Sequence, residues 1–276
     1  MPISGFDHLR AAGLGAALIL LLPAALAAQE AGPKLHPQAR EAVARAEAAA
    51  ASARSAGDRG RQAAAAAFAA SRAAANAARE AESLPPSRRV IRDYPNGDHI
   101  EGEFENDRPN GLGVVSFARG MHYEGMLEDG MPSGFGIMQL ATGERYEGEF
   151  GDGQPKGHGI IHFANGEHYQ GQVQGGERNG VGIYFFSDSE IYEGEFHDTK
   201  PDGHGVIEFA NGQRYEGEMR GGDREGAGVF YFPTGERYAG DYRAEMRHGI
   251  GAVFRPDGTI EQGIYEDGAL KTPLQP

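Results

Sequence analysis

From residue 94 onward the chain alternates between apolar and polar positions with a period of two, which is typical of β-strands. In the stretch RYEGEF (145–150), Tyr146, Gly148 and Phe150 share one predicted strand face, and the two glutamates share the other. The polar turn GDGQPK follows this strand. We therefore predict that each such stretch is the first strand of a β-hairpin.

The stretch after this turn, GHGIIHF (157–163), resumes the alternation, and Gly157, Gly159 and Phe163 share one face. The chain then turns back at Asn165-Gly166, a dipeptide that is favoured in tight hairpin turns. Consecutive hairpins joined by tight turns build an antiparallel meander.

The hairpin pattern recurs at a constant interval. The first-strand glycine returns every 23 residues without an insertion, at Gly102, Gly125, Gly148, Gly171, Gly194, Gly217, Gly240 and Gly263. A fixed period of this length marks a repeat architecture in which each unit packs on its neighbours. We predict an all-β repeat fold over residues 93–270, an elongated antiparallel sheet of stacked 23-residue β-hairpins. It would have seven full units, a partial capping unit and a tail at 271–276.

Aromatic residues recur in the same register as the glycines. Glycine leaves bare backbone on which a neighbouring ring can lie, so aromatic packing offsets the lost strand propensity. We interpret these stripes as the core of the sheet and not as a ligand platform. The structural repeat positions are Tyr123, Gly125, Tyr146, Gly148, Phe150, Gly157, Gly159, Phe163, Tyr169, Gly171, Tyr192, Gly194, Phe196, Tyr215, Gly217, Tyr238 and Gly240.

The N-terminus has the pattern of an export signal. An apolar run from Ala11 to Leu26 follows Arg10, and small residues precede the bond after Ala27. We expect residues 1–27 to be a signal peptide cleaved there, and the protein to be exported to the periplasm or cell envelope. The alternative is an uncleaved membrane anchor. The absence of cysteine excludes both disulfides and attachment through a lipidated N-terminal cysteine.

Residues 28–92 are rich in alanine and arginine, which favour helix. The stretch GDRG at Gly57–Gly60 predicts a break that gives two helices or a helical hairpin. Only Val43 and Phe68 could anchor a core, so we expect a helical spacer. A coiled-coil or membrane-proximal oligomerisation arm is the alternative. Leu84-Pro85-Pro86 would end the helix and act as a hinge.

Paired carboxylates on one strand face, such as Glu147 and Glu149, lie about 7 Å apart, a spacing that glycosidases use. The pair recurs in several units, whereas an active site is singular, so we interpret it as a solvated acidic face. We predict no catalytic residue and no enzymatic activity.

Histidines offer the other candidate chemistry. His158 and His204 are two units apart and cannot share an ion, and His162 and His168 flank one hairpin turn. A metal site needs a third or fourth ligand in fixed geometry, which the sequence does not show. We therefore predict no metal and no cofactor.

Charge is distributed unevenly along the chain. Residues 94–276 contain 14 Lys/Arg and 32 Asp/Glu, a balance of −18, whereas residues 28–93 have a balance of +4. An acidic repeat region repels nucleic acid and anionic headgroups. We expect no nucleic-acid partner, and any contact with an anionic membrane would come from the N-terminal region, including Arg88, Arg89 and Arg92.

The combination YEGEF…GHGIIHFANG resembles the MORN repeat (membrane occupation and recognition nexus), and the resemblance covers about Asp93 to Leu270. It implies an elongated sheet of hairpins and non-enzymatic work, such as scaffolding, self-association and, in some members, membrane contact. Unit one departs from the pattern with Ile100 in the tyrosine position, unit four with YQGQV, and the last unit by losing its tyrosine.

Together these features predict an exported, bacterial type of MORN-repeat scaffold that binds a protein partner or itself. The alternatives are a membrane-associated tether that uses the N-terminal hydrophobic helix or basic helical arm, and a repeat protein that binds cations or carbohydrate. We expect no other small-molecule ligand.

Overall fold

The structure is a computed structural model that describes residues 34–276. The expected signal peptide, residues 1–27, lies outside the described residues. None of the helical residues that are described forms a segment long and apolar enough to cross a membrane. The described elements are α1 (Pro37–Glu82), β1 (Val90–Asp93), β2 (His99–Glu105), β3 (Arg108–Ser116), β4 (His122–Glu128), β5 (Met131–Gln139), β6 (Arg145–Gly151), β7 (Gln154–His162), β8 (His168–Gln174), β9 (Glu177–Phe185), β10 (Ile191–His197), β11 (Lys200–Glu208), β12 (Arg214–Arg220), β13 (Asp223–Tyr231), β14 (Arg237–Arg243), β15 (Met246–Phe254), β16 (Ile260–Glu266) and β17 (Ala269–Pro273).

Each strand pairs in antiparallel fashion with the strands that precede and follow it in sequence, from β1 to β17. The result is one open sheet of 17 strands, built of hairpins in register at the 23-residue interval. The predicted fold class, an antiparallel sheet of stacked hairpins preceded by a helical segment, is confirmed.

The alanine-rich segment forms one continuous helix of 46 residues, and the expected break at Gly57–Gly60 is absent. Both glycines belong to the buried side of α1. A Cβ at Gly60 would lie 2.7 Å from the carbonyl oxygen of Gly182, so this glycine allows the helix to approach the sheet closely. The glycines serve helix packing, which offsets their low helix propensity.

One row on the buried side of α1 follows alternating steps of three and four residues. Its members are Ala39, Ala42, Ala46, Ala49, Ala53, Ala56, Gly60, Ala63, Ala67, Ala70, Ala74, Ala77 and Ala81. One heptad of helix advances about 10.5 Å, and one hairpin of the sheet advances about 9.6 Å. The helix can therefore cross the strands with about one heptad for each hairpin.

The helix runs against the order of the repeats. Its contacts extend from β15 to β3. Arg45 contacts Asp241 in β14, whereas Ser71, further along the helix, contacts Glu147 in β6. Leu35–Pro276 form one compact unit. The expectation of a spacer was wrong because the alanine stripe does not need a core of its own; it packs on the sheet.

The face under the helix contains one aliphatic side chain for each hairpin, contributed by its second strand. These residues are Val114, Ile137, Ile160, Ile183, Val206, Val229 and Ala252. Val229 and Ala252 are fully buried and cluster with Val43, Ala46 and Ala50 of α1. The expected solvated acidic face is therefore a covered face. Of the two residues of this segment that could have anchored a core, Val43 is buried and Phe68 is 57% exposed.

The ends of the sheet differ from the expected boundaries. β1 begins at Val90, inside the segment assigned to the spacer, and β17 extends to Pro273, inside the assigned tail. Leu84, in the expected hinge, is only 5% exposed. The backbone N–H groups of Arg88 and Arg89 both donate to the carbonyl oxygen of Pro85, so a hydrogen-bonded turn leads from α1 into β1.

Candidate interaction surface

The tyrosines of the repeat form a buried ladder on the face opposite α1, which we call the aromatic face. Each tyrosine is at most 5% exposed, and its hydroxyl donates to the carbonyl oxygen three residues later over 2.6–3.1 Å. Burial raises the pKa of every one of these tyrosines above the ordinary range. The ladder consists of Tyr123, Tyr146, Tyr169, Tyr192, Tyr215 and Tyr238.

The rings of neighbouring units contact one another edge to face. Phe150 lies 5.1 Å from both Tyr123 and Tyr146, measured between ring centres, and Phe196 lies 5.0 Å from Tyr169 and 5.1 Å from Tyr192. Edge-to-face pairs at this distance are favourable beyond their buried area. The aromatic positions therefore link consecutive units along the stack.

Glycines receive the tyrosine rings. A Cβ at Gly148 would lie 2.7 Å from the hydroxyl of Tyr146, and one at Gly159 would lie 2.4 Å from its ring. The equivalent first-strand glycines Gly171, Gly194, Gly217 and Gly240 are equally enclosed by their own tyrosines. Gly125 also lies close to its tyrosine, with φ +153°. These positions belong to the fold, and none of them is part of an open site.

The carboxylates that we first considered as a catalytic pair have separate structural partners. Glu147 lies under α1 with its side chain 13% exposed, accepts a hydrogen bond from the Ser71 hydroxyl and lies 3.1 Å from Arg145. Glu149 stands opposite a bulge, and its Oε1 accepts a hydrogen bond from the backbone N–H of His158 at 3.1 Å. The two carboxylates share no pocket.

The hydrogen bond at Glu149, from a backbone N–H of the bulge to the side chain opposite it, recurs in other units. Glu103 accepts from the N–H of Leu112 at 2.8 Å, Gln172 from Val181 at 3.0 Å, and Glu195 from His204 at 2.7 Å. In each case the second strand has three residues opposite this single side chain, as at 156–158. A backbone donor left unpaired by a bulge thus finds an acceptor.

Arginines of α1 face carboxylates of the sheet. Arg54 pairs with Glu216, which is 4% exposed, and Arg61, one heptad later, pairs with Glu193, one repeat earlier. Two further pairs join Arg59 to Glu195 at 2.7 Å and Arg45 to Asp241 at 3.1 Å. The ion pairs therefore follow the same match of heptad to hairpin as the alanine stripe.

The arginines that we expected to meet an anionic surface are also engaged within the protein. Arg88 pairs with Glu103, Arg89 with Glu101 at 3.5 Å, and Arg92 with Asp107 at 3.2 Å. The basic segment neutralises part of the acidic sheet of its own chain.

The histidines do not assemble a metal site. His158 lies 3.5 Å from Glu149, and His204 lies 3.7 Å from Glu195. The rings of His162 and His168 stack with centres 6.1 Å apart. Residues 34–276 contain no cluster of three or more potential metal ligands.

Clefts open between consecutive hairpins on the aromatic face. One, of about 380 Å³, lies in the C-terminal half; its lining is Arg224, Phe230, Phe232, Tyr242, Glu245, Met246, Arg247 and Gly268. A second, of about 190 Å³, has a mainly apolar lining of Met138, Leu140, Tyr146, Pro155 and Ile161, together with Glu144, Arg145 and Gly176. Phe230, Phe232 and Arg247 occupy the same repeat positions as Met138, Leu140 and Pro155, four units earlier. The cleft is therefore a recurring feature of the repeat.

One wall of each cleft is formed by a second-strand position that is either proline or arginine. It is proline at Pro109, Pro132, Pro155 and Pro201, and arginine at Arg178, Arg224 and Arg247. The clefts thus have two chemical types, one apolar and one cationic. The row was not predicted from the sequence, because proline and arginine alternate irregularly at this position and do not form a uniform stripe.

The arginines of this row stack on aromatic rings. The Arg178 guanidinium carbon lies 5.2 Å from the ring centre of Phe163 and 4.7 Å from that of Tyr184. The Arg247 guanidinium carbon lies 5.5 Å from the ring centre of Phe232 and 4.9 Å from that of Tyr238. These distances are typical of cation–π contacts.

The arginines differ in how far their charge is balanced. Arg224 pairs with Glu245 at 2.7 Å. Arg178 donates to the carbonyl oxygen of Thr199 at 2.9 Å, and neither it nor Arg247 forms an ion pair with a carboxylate of the described chain. Arg178 and the Arg247 cleft therefore retain positive charge.

Glu167, the acidic group near Arg178, is held by Tyr184. Burial raises the pKa of Tyr184 to about 12, and its hydroxyl donates to Glu167. This hydrogen bond lowers the pKa of Glu167, which stays anionic.

The fold and these surfaces define a non-globular repeat protein, a sheet of stacked hairpins with one face covered by its own helix and the other left uncovered by residues 34–276. The family model of the MORN repeat matches six segments of the chain, residues 101–122, 123–145, 146–168, 169–190, 192–214 and 215–237. The chain therefore contains MORN repeats, which are non-catalytic repeat modules, and β14–β17 continue the same hairpins beyond the last matched segment.

No curated protein matches the chain in sequence. Among solved structures, the TCP domain of SAS-4 from Drosophila melanogaster, in complex with a proline-rich motif of Ana2, is 12% identical with a TM-score of 0.37 and covers 66% of this chain and 94% of its own. A streptogramin B lyase is 12% identical with a TM-score of 0.19, covering 66% and 71%. Likenesses this distant carry no information on what this chain binds.

Proposed function

We propose that this chain is an exported, non-enzymatic scaffold that binds a protein partner through its aromatic face. The observation that carries the proposal is the difference between the two faces of the sheet. Alanines and arginines of α1 cover one face from β15 to β3. The aromatic face retains a series of clefts that no part of residues 34–276 fills.

The contents of these clefts favour association over chemistry. Their linings are aromatic and aliphatic side chains with stacked arginines, a composition that is enriched in protein interfaces. The carboxylates that could have performed acid–base chemistry bind α1 or bridge bulges. MORN repeats are interaction modules, which agrees with this use of the face.

Site-specific photo-crosslinking tests the scaffold. A photoreactive phenylalanine analogue replaces Phe163 or Phe209, both partly buried at the margin of the aromatic face. We expect protein adducts from these positions in intact cells, and none from Ala51, exposed on the outer side of α1. A chain that stays free of adducts at both phenylalanines would overturn the proposal, and adducts to another copy of itself would identify the partner as the same protein.

Export is tested separately. The apolar run 11–26 predicts a mature chain that begins after Ala27 in the periplasmic fraction. A chain that begins at Met1 in the membrane fraction would instead support the tether.

A further inference from the structure

We propose that the ligand of the aromatic face is an extended, carboxylate-bearing peptide segment in the polyproline II conformation that crosses the strands with three residues for each hairpin. The inference rests on the proposed scaffold function and specifies the chemistry of its partner. It follows from the spacing of the clefts, from the charge on this face and from the two chemical types of cleft.

The spacing of the clefts selects the conformation. Consecutive clefts are one hairpin apart, or about 9.6 Å. A polyproline II segment has three residues per turn and advances about 9.3 Å per turn, so every third side chain returns to the same side. A β-strand also spans this distance with about three residues, but its side chains alternate, and the fourth residue points away. Of these two extended conformations, only polyproline II can place every third side chain in successive clefts.

The charge on this face selects carboxylates. On the strands from β2 to β15, the positions in register with the ladder tyrosines carry glycine, proline, arginine and aromatic or aliphatic residues. Carboxylates near this face lie at bulges and turns, such as Asp202 near Tyr192 and Glu245 beside Arg224. The central carboxylates of the same strands, such as Glu193 and Glu216, point to the other face and pair with α1. The carboxylates next to these arginines, Glu167 and Glu245, are engaged by Tyr184 and Arg224. Arg178 and Arg247 therefore remain able to bind a carboxylate of the ligand.

The two available arginines set the spacing within the ligand. Arg178 and Arg247 occupy the same position three repeats apart, which corresponds to about 29 Å. Nine residues of polyproline II span about 28 Å. Carboxylates at positions i and i+9 can then reach both guanidinium groups, each of which is already fixed by two aromatic rings.

The order of the clefts along the stack determines where the ligand should carry its apolar side chain and where its carboxylates. The cleft around Pro155 is apolar, with Met138 and Leu140 in its lining, and it precedes the arginine clefts along the stack. The segment should present an apolar side chain there and its carboxylates further toward β15.

The test uses the full mature chain and fluorescein-labelled synthetic peptides measured by fluorescence anisotropy. Four repeats of Pro-Glu-Pro provide the extended acidic probe. Four repeats of Pro-Lys-Pro reverse its charge, and four repeats of Gly-Glu-Ser retain its charges on a flexible chain. An alanine-based peptide with glutamate at every seventh residue provides a helical acidic probe. We expect the Pro-Glu-Pro probe to bind about tenfold more tightly than each of the others.

Variants locate the binding. R178Q and R247Q should each weaken the binding of the Pro-Glu-Pro probe about tenfold, and the circular dichroism of each variant should be unchanged. R72Q removes the same charge from the exposed side of α1 and should leave binding unchanged. If R178Q fails to fold, R247Q alone decides, because the Arg247 side chain makes no hydrogen bond within the described chain that a fold would lose.

Several results would overturn the inference. They are equal binding of the lysine peptide, tighter binding of the helical peptide, and binding that is insensitive to R247Q. A loss of affinity for phosphatidylcholine vesicles containing phosphatidylglycerol, caused by R178Q and R247Q, would assign these arginines to lipid instead. If no peptide binds while Phe163 still yields protein adducts, the partner chemistry is wrong and the scaffold stands; if both fail, the scaffold fails as well.

Discussion

The ring of Tyr146 lies directly against Gly159 of the following strand, so close that a Cβ at Gly159 would come within 2.4 Å of it. The same relationship joins Tyr169 to Gly182 and Tyr192 to Gly205. The repeat is therefore held together by a fit between one large ring and one absent side chain.

Gly159→Ala should lower the free energy of unfolding by about 3 kcal/mol, because the buried ring cannot move aside. The measurement is urea denaturation followed by circular dichroism. Gly166→Ala is the control, because a Cβ at Gly166 would have no atom within 4 Å. It should lower the free energy of unfolding only by the cost of placing alanine at φ +89°, about 1–2 kcal/mol. A loss at Gly159 no larger than the loss at Gly166 would contradict the close fit between the ring and Gly159.

Glu149→Leu should destabilise the protein by about 1–2 kcal/mol, because the N–H of His158 loses its acceptor. Glu149→Gln should cost less than about 0.5 kcal/mol, since Gln172 makes the same hydrogen bond in the following unit. Thermal unfolding of both variants checks the difference. A large loss with glutamine would mean that the charge of Glu149, rather than its acceptor oxygen, is what the fold requires.

Arg54 and Glu216 should show a coupling energy of about 1 kcal/mol in a double-mutant cycle with Arg54→Gln and Glu216→Gln. The carboxylate is buried but the arginine is half exposed, which limits the gain. The coupling should fall as salt shortens the screening length. Arg72→Gln, at an exposed residue of the same helix, serves as the control and should change stability little. A coupling energy of zero at low salt would show that this ion pair does not help to hold α1 on the sheet.

Gly60→Val should weaken the docking of α1 by about 1–3 kcal/mol, because its Cβ would meet the carbonyl oxygen of Gly182 at 2.7 Å. Ala51→Val places the same side chain on the exposed side of the helix and controls for helix propensity. Protease sensitivity of α1, followed by mass spectrometry, checks docking directly. If α1 is cleaved at the same rate in both variants, close approach at Gly60 is not what holds it.

Alkaline pH should unfold the protein before its core tyrosines ionise. Burial raises the pKa of Tyr146 and its equivalents, and that of Tyr265 to about 12. A raised pKa in the folded state contributes stability that is present below the unfolded value, about 10, and is lost as the pH rises above it. Tyrosinate absorbance at 295 nm should therefore increase together with the loss of circular dichroism above pH about 10. Ionisation of the ladder in a chain that keeps its β signal would contradict the buried arrangement.

The hairpins were predictable from sequence because their determinants are local. A tyrosine, a glycine and a turn dipeptide lie within one 23-residue unit, and eightfold repetition of the first-strand glycine removes ambiguity in the register. The same locality explains why the break at Gly57–Gly60 was wrong. Helix propensity counts glycine as a cost, whereas the gain from close packing on Gly182 comes from a residue more than a hundred positions away.

The aliphatic row from Val114 to Ala252 recurs at the same period, although we interpreted this face as solvated. Its occupant was not visible, because an alanine heptad can pack on a helix, on a sheet or on another chain. The arrangement around Arg178 and Arg247 was not visible for a similar reason, since one of the two cation–π contacts of each arginine is to a ring of the preceding unit.

The sequence by itself determined the repeat, its period, the alternation within each hairpin and the glycines on which the tyrosines lie, because each of these depends on residues close together in the chain. Only the tertiary structure decided that α1 lies on the acidic face and that the aromatic face stays open. The position of α1 depends on the match between a heptad of about 10.5 Å and a hairpin of about 9.6 Å. It also depends on ion pairs such as Arg54–Glu216, whose members lie 162 positions apart in the chain.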